Sequence, residues 1–123
     1  MEFCFGESEG LHDVARLRAT WTELRTLPEV DADVMCHGDL TSSNVLVRDG
    51  RLVGVLYVGV FAAADPALDL VGSWHLLDEV QRQILREVLG CSEVQWQRGM
   101  AWAFQQSMGL VWYYAESNPT MSR

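Results

Sequence analysis

Hydrophobic residues recur at spacings of three and four in several stretches of the chain, as in helices with one apolar face. In the first stretch they are Val14, Leu17, Trp21, Leu24 and Leu27. The same spacing predicts helices over 13–27, 78–89 and about 92–118. Gly90 is expected to end the second of these helices, and Ser92 with Gln95 resembles a capping box that begins the third. Asp65-Pro66, an N-cap residue followed by proline, predicts the start of a further helix that ends near Leu77. Helices are therefore expected to dominate the fold.

Two short apolar runs, 45–47 and 52–56, flank Asp49-Gly50, a pair that favours a tight turn between antiparallel strands. We interpret them as a β-hairpin that places Asn44 and Tyr57 near each other. The predicted fold class is mainly α with a small β-hairpin (α+β).

Composition and charge limit the function classes. With 123 residues, of which 49% are hydrophobic, the chain is expected to form a single domain over 1–123. Its net charge of −8 disfavours nucleic acid and anionic membranes as partners and favours a cationic ligand, although the same charge also keeps a Trp-rich protein soluble. The three cysteines form no disulfide or zinc pattern. With no signal peptide or membrane-spanning run in the sequence, we expect a cytoplasmic protein.

Three segments suggest a family: HGDLTSSNVL at 37–46, GVLYVG at 54–59 and DPALDL at 65–70. Together they resemble the C-terminal lobe of the aminoglycoside phosphotransferase family, relatives of the protein kinases, over roughly 8–121. The resemblance implies an isolated kinase-like C-lobe. In phosphoryl transfer an Asp orients or deprotonates the substrate hydroxyl, and an Asn and a second Asp hold magnesium. The resemblance assigns these roles to Asp39 and Asn44, and implies that Asp69 braces the 37–44 loop.

The chain departs from the family pattern where the second metal-binding carboxylate belongs. That position, thirteen residues after Asn44, is Tyr57. Magnesium prefers carboxylate and phosphate oxygens to a neutral phenol. No glycine-rich loop or strand lysine precedes His37, and the chain contains no lysine. We therefore expect the nucleotide-binding lobe to be absent, with no metal, no cofactor and no kinase activity.

The candidate site residues fall into two groups. We predict Asp39 as catalytic acid or base and Tyr57 as its hydrogen-bonding catalytic partner. The predicted ligand-binding residues are His37, Asn44, Val60, Phe61, Trp102 and Tyr113. Structural alternatives stay open for several of these residues, because His37 and Asn44 could support their own loop and the aromatic residues could belong to the core.

The predicted function is a repurposed, metal-free acid/base enzyme, such as a cyclase, isomerase or lyase of a natural-product pathway. The alternatives are a non-catalytic module that binds a small molecule, cationic or polyketide-like, or another protein, and an inert family fragment. An apolar patch around 54–64 further predicts a homodimer.

Overall fold

The computed structural model describes residues 1–10, 12–28, 32–56 and 61–113. Of residues 111–113 it describes only the helical backbone. Contacts divide the chain into two compact units, Met1–Leu27 with Phe104–Arg123, and Pro28–Ala103. The predicted fold class is confirmed, since helices dominate and the strands are few and antiparallel. No helix in the described ranges is long and apolar enough to cross a lipid bilayer.

The smaller unit contains helices α1 (Glu2–Glu7) and α2 (Val14–Leu24) and the end of a long helix, α5 (Glu93–Tyr113). Asp13 caps α2 by accepting a hydrogen bond from the Arg16 amide at 3.1 Å, so the helix predicted over 13–27 is confirmed in a shorter form. Phe5 is fully buried, and the Arg18 guanidinium lies over its ring at 4.7 Å.

The larger unit contains two antiparallel strand pairs. Strand β1 (Val34–Cys36) pairs with β4 (Ala62–Ala64), and β2 (Val45–Arg48) pairs with β3 (Arg51–Val55). In the β2–β3 turn both Asp49 and Gly50 have positive φ, at 51° and 73°, as a two-residue hairpin turn requires. The predicted hairpin is confirmed.

The helices of the larger unit begin and end at the predicted capping residues. Asp65 accepts a hydrogen bond from the Ala67 amide at 3.0 Å, but the helix that it begins is not a continuous α-helix. A 3₁₀ helix, Pro66–Val71, is followed by α3 (Gly72–Leu76). Helix α4 (Glu79–Leu89) ends at Gly90, whose φ of 64° is the left-handed conformation of a helix C-cap. Ser92 and Gln95 form the predicted capping box before α5.

The core of the larger unit lies between α5 and the 3₁₀ helix. Val71 is fully buried, and the rings of Trp74 and Trp96 lie 4.8 Å apart. A Cβ atom on Gly99 would lie 2.6 Å from the Leu70 Cβ, so only glycine lets these helices approach this closely. The core therefore fixes the 3₁₀ helix, which in turn contacts the predicted loop.

Candidate functional site

The 37–44 loop connects β1 to β2, and a carboxylate from the 3₁₀ helix fixes its first turn. Asp69 accepts hydrogen bonds from the His37 amide through Oδ2 and from the Gly38 amide through Oδ1, both at 2.8 Å. Hydrogen bonds to an ionised carboxylate are stronger than neutral ones. Gly38 has φ of 82°, a conformation that a side chain would strain. Asp69 therefore braces the loop, as the family resemblance implies.

Both nitrogen atoms of the His37 imidazole form hydrogen bonds with the backbone. Nε2 lies 2.6 Å from the Leu56 carbonyl oxygen, and Nδ1 accepts a hydrogen bond from the Asp39 amide at 3.2 Å. These partners place the hydrogen on Nε2, because a carbonyl oxygen can only accept. Both ring nitrogens thus support the loop and its contact with the end of the hairpin. A role for His37 in ligand binding stays a prediction.

The side chain of Asn44 orients the carboxylate of Asp39. Its amide nitrogen donates to the Asp39 backbone carbonyl at 2.8 Å and to the Asp39 Oδ2 at 2.9 Å. Asn44 is buried, whereas Asp39 is partly exposed. The loop therefore presents a fixed carboxylate, which can accept a hydrogen bond or a proton from a bound molecule.

A second polar cluster joins α5 to the start of the 3₁₀ helix. The Asp65 Oδ2 accepts hydrogen bonds from the Trp102 indole at 2.9 Å and from Arg98, which also donates to the Pro28 carbonyl at 2.9 Å. Burial by itself raises the pKa of Asp65, but hydrogen bonds from Trp102, the Ala67 amide and Arg98 outweigh it and hold that pKa below its usual value. The indole N–H of Trp102 thus donates its hydrogen bond to Asp65. The sequence did not indicate that Arg98 belongs to this cluster.

The cysteine beside the loop is surrounded by groups that disfavour its thiolate form. Cys36 is buried, and its Sγ lies 3.4 Å from the Asp65 carbonyl oxygen. Burial, with the negative charges of Asp69 and Asp65, raises the pKa of the Cys36 thiol. The neutral thiol is the unreactive form.

The structure brings together some of the predicted site residues. His37, Asp39 and Asn44 meet in one loop, and Phe61 is half exposed just before β4. Tyr57 and Val60 lie outside the described residues, as does the side chain of Tyr113. Asp39 and Asn44 offer the oxygen atoms that a metal could use, although no three His, Cys, Asp or Glu residues within the described segments form a metal-binding group. The predicted roles of all eight residues stay predictions.

Comparison with known proteins places these features in a family context. The family model described as the phosphotransferase enzyme family matches residues 6–102. An aminoglycoside 3'-phosphotransferase of Streptomyces fradiae is 44% identical over 75 residues, which cover 51% of this chain and 28% of that protein. One from Escherichia coli is 37% identical over 57 residues, 46% of this chain and 21% of that protein. The chain thus matches only about a quarter of the length of these relatives. No solved structure shows a significant match.

Proposed function

Since the chain belongs to the phosphotransferase enzyme family, we propose that its 37–44 loop presents Asp39 as an acid/base group to a small molecule. The proposed reaction is one other than metal-dependent phosphoryl transfer. Suitable reactions are a cyclisation, an isomerisation or an elimination on a natural-product intermediate. In an isomerisation, the Asp39 carboxylate removes a proton from one atom of the substrate and returns it to another, so that no co-reactant is consumed.

The observation that carries this proposal is the rigid support of Asp39. Asn44 holds one carboxylate oxygen, and Asp69 holds the two amides that precede Asp39 in the chain. General acid/base catalysis needs such a positioned group. Tyr57 supports the exclusion of phosphoryl transfer, because it stands where the family pattern has a metal-binding carboxylate.

A second candidate function is the binding of a cationic small molecule without turnover. The net charge of −8 attracts cations, and the relatives are aminoglycoside phosphotransferases by name. In this case Asp39 forms an ion pair with a ligand ammonium group instead of moving a proton. An inert family fragment shows neither behaviour.

The substitution Asp39→Asn separates these functions, because it removes the charge and the proton acceptor while keeping the shape. For an acid/base enzyme, we expect turnover of natural-product intermediates, followed by mass spectrometry, to fall about 10²- to 10⁴-fold with little change in binding. For a binding module, calorimetry with an aminoglycoside should show an affinity about tenfold lower.

Asp49→Asn is the matched control, because Asp49 lies in the hairpin turn at positive φ, which Asn tolerates equally well. It should leave both turnover and affinity unchanged. Wild-type turnover by Asp39→Asn would rule out the acid/base role. A phosphorylated aminoglycoside formed by the wild type with ATP and magnesium would overturn the exclusion of phosphoryl transfer.

A further inference from the structure

The β2–β3 hairpin carries an aliphatic face that its own chain leaves exposed. The register pairs Val45 with Val55 and Val47 with Leu52, and directly paired side chains lie on the same face. Val45 and Val47 share a face by alternation, and a bulge in the register between Leu46 and Val47 brings Leu52 and Val55, three residues apart, to that same face. Val47 and Leu52 are each more than 60% exposed. A two-stranded hairpin is only marginally stable in water unless a further strand or a helix covers it. This face therefore favours a covering partner.

The end of the hairpin carries two arginines in an unfavourable arrangement. Arg48 pairs directly with Arg51 across the strands, and both are exposed. Like charges at directly opposite positions destabilise a strand pair. Neither guanidinium forms an ion pair with another described residue. An acidic partner would relieve this repulsion.

Helix α4 carries the complementary surface. Val80, Ile84 and Val88 recur at a spacing of four and form an apolar stripe along this helix, and they are 71%, 58% and 78% exposed. A capping box of Asp78 and Gln81 fixes the start of this helix. The stripe is thus a well-formed apolar helix face open to solvent.

The charges beside this stripe are acidic. Both arginines of α4 are engaged within the chain, because Arg82 donates to the Leu77 carbonyl and Arg86 pairs with Glu93. Glu79 and Glu87 are exposed, and neither side chain has a hydrogen bond or ion pair with another described residue. The charge available to a partner on this face is therefore negative.

We propose that the hairpin of one copy docks on α4 of a second copy. The aliphatic strand face covers the Val80, Ile84 and Val88 stripe, and the arginines of the hairpin approach Glu79 and Glu87. Each chain carries both surfaces within its Pro28–Ala103 unit, so that a two-fold dimer makes the contact twice.

The charges of the two surfaces support a second copy of this chain as the docking partner. Two copies of a chain with a net charge of −8 repel each other at long range. Association therefore needs local pairs of opposite charge, and the arginine end of the hairpin with the acidic flank of α4 supplies them. The same two surfaces also match in kind, an aliphatic ribbon and an aliphatic helix stripe.

Reciprocal charge reversal tests this contact. One variant carries Arg48→Glu and Arg51→Glu, and the other carries Glu79→Arg and Glu87→Arg. In sedimentation experiments we expect a wild-type dimer and self-association about tenfold or more weaker for each variant alone, because like charges then meet. An equimolar mixture should form dimers again, since both contacts of the mixed pair join opposite charges.

Glu7→Arg with Glu9→Arg is the control for net charge, because both residues are exposed and lie in the other compact unit. This control should dimerise at least as well as the wild type. Ile84→Lys, a change at an exposed position, should abolish association while circular dichroism shows intact helices. A monomeric wild type, a mixture that stays monomeric, or a wild type that binds only a different protein would overturn the proposal.

Discussion

Replacing Asp69 by Asn is expected to loosen the 37–44 loop, because Asp69 is the side chain that holds its first turn. Both oxygens of Asp69 accept backbone hydrogen bonds, from the His37 and Gly38 amides, each at 2.8 Å. Asn keeps the size of the side chain, but its amide group can accept only one of these bonds. The other backbone N–H then faces a second donor.

The expected loss in the free energy of unfolding is estimated from the two hydrogen bonds that Asp69 accepts. Losing one hydrogen bond to a charged group costs about 1.5–3 kcal/mol, and a donor left unsatisfied costs about 1–3 kcal/mol when buried. Asp69 is partly exposed, so water can satisfy some of the lost bonding. We therefore expect the free energy of unfolding to fall by about 2–4 kcal/mol, with a drop in melting temperature on the order of 10 °C.

Urea unfolding and amide hydrogen exchange measure this effect. Exchange of the His37 and Gly38 amides should accelerate most, because these amides lose their acceptor. Asp78→Asn is the matched control, since Asp78 accepts one amide, that of Gln81 at 2.8 Å, and Asn is an equally good N-cap. The control should change stability by less than about 0.5 kcal/mol. The reasoning is refuted if Asp69→Asn is as mild as the control, or if exchange at His37 and Gly38 is unchanged.

Two further predictions concern packing and pH. Gly99→Ala should cost about 1–3 kcal/mol in urea unfolding, because the new Cβ would lie 2.6 Å from the Leu70 Cβ. Gly109→Ala, whose Cβ would meet nothing within 4 Å, should be neutral or stabilising, and equal costs at both sites would contradict the packing argument. Because the pKa of Asp65 is lowered by folding, its stabilisation is complete above its ordinary pKa near 3.8 and is lost as the pH falls through the lower folded value. The stability difference between wild type and Asp65→Asn should therefore be constant from about pH 6 to 8 and shrink below about pH 4, and a difference that persists in acid would contradict this account.

The elements that the sequence predicts best depend on residues a few positions apart. The Asp65 cap, the Asp49-Gly50 turn, the Gly90 stop and the Ser92 capping box are all confirmed. Each is decided by a hydrogen bond or a backbone angle within about four residues. Such short-range chemistry is readable in a sequence without knowledge of the rest of the fold.

Contacts between distant residues could not be predicted in this way. Arg98 and Trp102 meet Asp65 across 33 and 37 residues of sequence, and no local pattern links them. The periodicity of α4 shows that one face is apolar, but it does not show whether anything covers Ile84. Exposure at that position depends on how the other elements pack.

The candidate site could be predicted from the sequence only in part. Asp39 and Asn44 belong to one contiguous motif, and their hydrogen bond is therefore close to a local feature. The brace from Asp69 reaches the His37 and Gly38 amides across 32 and 31 residues of sequence, and only the family resemblance made it predictable. The catalytic role of Tyr57 stays a prediction, because that residue lies outside the described segments.

The contacts that hold the loop explain how its geometry can be independent of a metal site. The loop is fixed by the Asp69 carboxylate, by the His37 imidazole on the Leu56 carbonyl, and by the Asn44 amide on Asp39. None of these bonds requires a cation, since each pairs a protein donor with a protein acceptor. A tyrosine at position 57 can therefore replace a metal-binding carboxylate without removing the support of Asp39. Under the proposed function, this separation of loop support from metal binding lets the loop present the Asp39 carboxylate for acid/base chemistry.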